Sequence, residues 1–234
     1  MKIQNLIVKL LFFFLIFSCQ FEKFEEFEEE KPLAECIDGH AKVVINEVEY
    51  EYECENYDLV GYISLEEMEA ESGNDCWGWT DPLTNKEYAL MGLDNGTAFI
   101  DISRPTKPKY LGKIPTETVP SSWRDLKIFD NHVFIVSEAE NHGMQVYDLE
   151  QLRVINDVQN LTPSFVYSNH GSAHNIAINI ETGYAYTAGI GSSSNPVGIY
   201  ALNINNPIDP KLELEYPDFG YSHDAQIAVS YTHL

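Results

Sequence analysis

The chain has 234 residues, 44% of them hydrophobic, and a formal net charge of −23. That hydrophobic share suits a globular chain rather than a disordered one, and so acidic a balance excludes a nucleic-acid binder, which needs a basic footprint. It suits instead solubility outside the cell, or attraction of divalent cations.

Residues 1–18 pass through a positive start at Lys2 and Lys9, an unbroken apolar stretch at 10–17 (LLFFFLIF) and a small Ser18 before Cys19. This is the order of a secretory signal. The apolar stretch is too short to span a bilayer core, which takes about 20 residues. Ile16, Phe17, Ser18 and Cys19 resemble a lipobox, so the mature chain is expected to start at Cys19 and to carry lipid on its thiol. Residues 19–32 then form an acidic tether, with six glutamates within 20–30. Like charges this dense favour a solvated spacer. The tract also resembles an address for export to the outer leaflet. The expected location is that of an exported outer-membrane lipoprotein at the cell surface, with the membrane engaged through the lipid.

Residues 33–72 read as a small cysteine-paired module. Asp38-Gly39 is a turn signal, and 42–52 alternates like a hairpin strand. In an exported chain two cysteines are expected to oxidise, and Cys36 and Cys54, which flank this hairpin stretch, are the expected pair. Cys76, ahead of Trp77, is expected to stay free and buried in a strand. No CxxC occurs and no cysteine lies near a histidine in ligand spacing, so a zinc site is not expected.

A repeat dominates residues 73–228. Gly96, Gly143 and Gly198 are each followed five residues later by Asp101, Asp148 or Asn203. Pro105 and Pro108 in the first copy correspond to Pro207 and Pro210 in the third, and Gln151-Leu152 stands in their place in the second. An earlier strand repeats at 124–128, 174–178 and 223–227, with starts 50 and 49 residues apart, and 76–80 is a looser first copy. Second strands are expected at 133–137 and 184–188, third strands at 99–102, 145–149 and 199–204, and outer strands at 110–114 and 212–216. The fold class is therefore all-β: a β-propeller with four-stranded antiparallel blades of about 50 residues. Three blades are readable. A fourth begins at His223 and is cut within its first strand, so the propeller is expected to be incomplete and C-terminally truncated. Residues 229–234 (VSYTHL) read as a non-native end.

The phrases at 77–82 (WGWTDP), 87–92 (EYALMG), 96–103 (GTAFIDIS), 122–127 (SWRDLK) and 170–175 (HGSAHN) resemble the choice-of-anchor B family. The blades resemble LVIVD repeats, and the Cys36…Cys54 module with Tyr57, Asp58 and Leu59 matches that family's N-terminal extension. The resemblance runs from about Cys36 to Ala228. It implies a surface or secreted propeller with no assigned activity.

Arg124, His174 and His223 hold equivalent positions at the start of the first strands, followed in register by Asp125, Asn175 and Asp224. With His170, these residues are expected at the channel mouth. Imidazole and carboxylate together suit a divalent cation, with His174, His223 and Asp224 the candidate metal ligands. The competing reading is a structural ring in which each polar side chain bonds backbone of the neighbouring blade, and repetition favours it. No catalytic residue can be assigned, since no nucleophile elbow, HExxH or Walker pattern is present. The expected function is a non-catalytic binding or scaffold module for a glycan or surface protein. The alternative is a metal-assisted extracellular hydrolase with a His/Asp site at the channel mouth.

Overall fold

The structure, a computed structural model, describes residues 31–169, 171–192, 195–196, 198–216 and 220–227. The expected signal peptide, Cys19, the tether up to residue 30, His170 and the 229–234 end lie outside them. The described chain is all-β.

A three-stranded sheet comes first: β1 (Cys36–Ile37), β2 (His40–Ile45) and β3 (Val48–Glu53), in that order. Asn46 and Glu47 turn between β2 and β3 at φ 49° and 66°, the left-handed pair that a two-residue hairpin loop requires. Cys36 and Cys54 are joined as expected, with their Cα atoms 6.0 Å apart. Ala34, Ala41 and Val43 form a small core of their own, with Leu59 against it.

Three larger sheets follow. The first holds β4 (Gly73–Thr80), β5 (Glu87–Leu93), β6 (Gly96–Asp101) and β7 (Lys109–Pro115) as an antiparallel meander. The second holds β8 (Arg124–Phe129), β9 (His132–Ser137) and β10 (Met144–Asp148), then a 3-10 helix (Leu149–Val154). From there β11 (Gln159–Asn160) returns to the first sheet and pairs in parallel beside β7, before β12 (Phe165–Tyr167) completes the second. The third consists of β13 (Asn175–Asn179), β14 (Tyr184–Ala188), β17 (Ile199–Asn203) and β18 (Lys211–Tyr216). A minimal hairpin of β15 (Gly191–Ser192) and β16 (Asn195–Pro196) interrupts it.

Period-2 alternation decides the packing, because successive side chains leave opposite faces of a strand. Trp79, Tyr88, Leu90 and Phe99 of the first sheet meet Leu126, Val133, Ile135 and Tyr147 of the second. The opposite face of the second sheet presents Phe134, Val136, Met144 and Val146 to Ile176, Ala185 and Leu202 of the third. Full burial contributes about 1.5–3 kcal/mol per large apolar side chain, so these two layers bind the sheets in series. The outer face of the first sheet is covered in part by Met68, with Ile63 and Ala70 beside it.

Three expectations need correction. Cys76 is exposed, not buried. Trp79 faces the second sheet, so alternation sends Cys76 the other way, beside Met91 at an open apolar groove. The second unit, expected to run from Arg124 to about Leu161, gives up residues 159–160, which form a fifth strand of the first sheet. Gly112 admits them, since a Cβ there would lie 1.9 Å from the Gln159 carbonyl oxygen. Residues 223–227 carry no strand; an inner strand needs a second strand for its ladder, and the described residues hold none for it.

Candidate functional site

Of the expected site residues, Arg124 and Asp125 begin β8, Asn175 begins β13 just after His174, and His223 and Asp224 lie outside any strand. Asp75 on β4 accepts from the Leu126 backbone N–H at 3.0 Å, through Oδ2. One sheet further on, Asp125 on β8 accepts from the Ile176 N–H at 2.8 Å, again through Oδ2. Each carboxylate therefore fastens its own sheet to the first strand of the next. Asp125 Oδ1 also accepts from its neighbour Leu126 N–H at 2.9 Å, so two carboxylates converge on one donor. Lys127 relieves the repulsion: its Nζ lies 2.6 Å from Asp125 Oδ1 and 3.8 Å from Asp75 Oδ2, over the ring of Trp77. Burial, then hydrogen bonding to the Asp75 carboxyl, pushes the Asp125 carboxyl up to about 6, against the opposing pull of Lys127.

Arg124 does not line a mouth. It is fully buried, and its guanidinium donates to Leu93 O at 3.0 Å, to His142 Nε2 at 2.9 Å and to Thr116 Oγ1 at 3.1 Å. An arginine has no acceptor, so His142 Nε2 must offer a lone pair and Nδ1 carries the proton, donated to Gly143 O at 3.1 Å. Desolvation lowers the Arg124 pKa to about 10. The residue acts as a buried tie between the first and second sheets.

His174 and His223 do meet. Their ring centroids are 3.9 Å apart, and Trp123 lies 5.6 Å from His174. Glu138 accepts from His174 Nδ1 at 2.7 Å. Asn175 follows in the register position of Asp75 and Asp125, while Asp224 is exposed and its Oδ1 accepts from the Ala225 N–H at 2.6 Å. Among the described residues, no group of three or more His, Cys, Asp and Glu is arranged to hold a metal ion. Of the candidate ligands, His174 and His223 thus meet as a tilted imidazole pair with Glu138 behind the His174 ring, while Asp224 bonds backbone instead.

The other repeated residues are structural too. A Cβ on Gly96, Gly143 or Gly198 would lie 2.3, 2.4 or 1.9 Å from the carbonyl oxygen of Ile114, Tyr167 or Tyr216, so each glycine lets an outer strand approach. Asp101, Asp148 and Asn203 each accept, through Oδ1, from the N–H two residues on, in Ser103, Glu150 and Asn205. Such turns end a strand. The sequence reading missed Asp75 and Glu138. Asp75 was findable, because it stands 50 residues before Asp125. Glu138 carries no periodic signal, since its partner His174 lies 36 residues further on.

No family model matches this chain. No curated protein matches it either.

Proposed function

We propose that this chain is an exported bacterial lipoprotein similar to choice-of-anchor B proteins, in which LVIVD-type propeller blades serve as a non-catalytic binding or scaffold module at the cell surface. The observation that carries this reading is the use made of the repeated polar residues. Asp75, Asp125 and Arg124 all bond protein groups of neighbouring sheets. Hydrogen bonds to charged groups stabilise by about 1.5–3 kcal/mol each, which suits a rigid display platform. Residues so engaged are not free to act on a substrate. Supporting the blade reading are three mostly antiparallel sheets in series, whose opening strands β4, β8 and β13 lie one against the next, and a repeat close to 50 residues. The Cys36–Cys54 bond fits an oxidising location.

In this reading Cys19 holds the chain to the outer membrane, and the ligand is a glycan or a surface protein. The alternative, a metal-assisted hydrolase, is favoured by one observation: the His174–His223 pair with Glu138 on Nδ1. A carboxylate behind a histidine orients that ring in many metal sites. Metal analysis of the full-length protein purified without chelator, with an esterase, phosphatase and glycosidase panel, separates the two. The binding module should carry less than one equivalent of metal and no metal-dependent turnover, and should retain a glycan or a surface protein on intact cells. Stoichiometric metal with hydrolysis lost in His174→Gln would sink the scaffold reading.

A further inference from the structure

We infer that the far face of the third sheet is a docking surface for the chain's own residues 224–227, held there by Asn175. The inference rests on reading the sheets as successive blades. Two interfaces of one design precede it. In each, a side chain at the start of one sheet's first strand accepts from the N–H that follows its counterpart in the next: Asp75 from Leu126, after Asp125, and Asp125 from Ile176, after Asn175. Asn175 is the third in this series. Its Oδ1 is buried and has no hydrogen-bond partner among the described residues. Its counterpart in the next unit is Asp224, so the donor it lacks is the N–H of Ala225.

The approach to that position is already built. Ser222 O accepts from Gly189 N–H, at the end of β14, at 2.5 Å. The His223 ring then lies against that of His174, tilted by 30°. Ala225 N–H bonds Asp224 Oδ1 just as Leu126 N–H bonds Asp125 Oδ1, so the turn at the strand start is formed before its ladder.

The face itself matches. Ala177, Tyr186, Ala201 and Leu214 form one row across the third sheet. The corresponding row of the second sheet is Lys127, Phe134, Val146 and Phe165, and its Phe134 and Val146 are fully buried against the third sheet. On the far face Leu214 and Tyr216 remain 51% and 39% exposed. The change of charge is also consistent. Lys127 balances the Asp75–Asp125 pair, whereas Ala177 stands at the equivalent place beside the neutral amide of Asn175.

Amide hydrogen exchange on the full chain tests this, read at Ala225, Leu126 and Ile176 in wild type, Asn175→Leu and Asn175→Asp. The expected result is an Ala225 amide slowed roughly tenfold or more relative to an open chain, returned to open-chain exchange in Asn175→Leu, and kept slow in Asn175→Asp, which retains an acceptor. Leu126 and Ile176 should keep their protection in all three. An Ala225 amide that exchanges as an open chain in wild type, or equally slowly in Asn175→Leu, overturns the proposal. So does protection that grows with protein concentration, which would place a second copy on this face. None of these readouts depends on a glycan or a metal, so failure here is distinct from failure of the functional reading.

Discussion

At the scale of single residues, two buried aspartates respond to pH with opposite signs. Asp81 is enclosed by Arg153, whose Nε and Nη2 donate to it at 2.8 and 2.6 Å, and by Thr84 and the Leu83 N–H. Arg153 first among these holds the Asp81 carboxyl well below the usual carboxylate range. Its contribution to stability is present above the unfolded value, about 3.9, and is lost only as pH falls below that. Asp125 behaves in reverse. With a folded value of about 6, the native chain keeps a proton that the unfolded chain has released. That contribution is fully present below about pH 4 and is lost as pH rises through about 6. Between pH 5 and 7.5 Asp81 is ionised in both states, so the slope there belongs to Asp125 and to groups unrelated to it. The difference in denaturant midpoint between wild type and Asp125→Asn should therefore shift in favour of wild type on going from pH 7.5 to pH 5. A difference that does not vary with pH would contradict the assignment. Asp125→Ala, which strips the buried Ile176 N–H of its acceptor, should cost about 1–3 kcal/mol at either pH by equilibrium unfolding. Cys76 offers a second check at this scale. Being exposed while Cys36 and Cys54 are bonded, it alone among the described cysteines should be alkylated in the native protein, as peptide mass spectrometry would reveal.

At the scale of elements, the repeat is a set of steric and hydrogen-bonding requirements. Gly96 needs no unusual backbone angle. It is glycine because β7 passes so close that a Cβ would lie 2.3 Å from Ile114 O. Gly96→Ala should therefore part β6 from β7 and cost about 1–3 kcal/mol, the range for overpacking a tight site, measured by thermal unfolding. Alanine at Gly171, where no heavy atom lies within 4 Å of a Cβ, should separate the cost of crowding from that of a positive φ. The outer strands were legible in the first and third units, where prolines mark the exit from the third strand. They were not legible in the second, where the 3-10 helix Leu149–Val154 takes that place, capped by Asp148. Its Leu149 and Leu152 are buried in the layer between the first and second sheets, so tertiary packing sets its path more than local propensity does.

At the scale of the whole molecule, the sheets form a series in which each apolar face meets the next. The small disulfide sheet has a core of its own, so its loss should be local. Cys36→Ser with Cys54→Ser should raise hydrogen exchange in β1, β2 and β3, consistent with about 3 kcal/mol from closing a short loop, while amides in β9 and β10 keep their protection. Equal loss of protection in both regions would mean the two cores are one. The proposed anchor belongs to this scale as well. Mass spectrometry of the mature N-terminus should find diacylglycerol on Cys19, and an unmodified N-terminus elsewhere would remove the lipoprotein reading.

The sequence by itself determined the all-β class, the first, second and third strands of the units between residues 76 and 204, the near 50-residue spacing and the cysteine pair, because each rests on local signals: alternation, turn residues, and glycines and prolines at fixed offsets. It also offered, as one of two readings, that the repeated polar residues bond backbone of a neighbouring unit. Only the tertiary structure decided which residues do so. Asp75 and Asp125 face the next sheet, and Arg124 points into the protein and away from any opening. Cys76 faces outward although its neighbours are apolar. Those outcomes depend on which face of a strand meets another sheet, and a face is assigned by long-range packing that no window of the sequence contains.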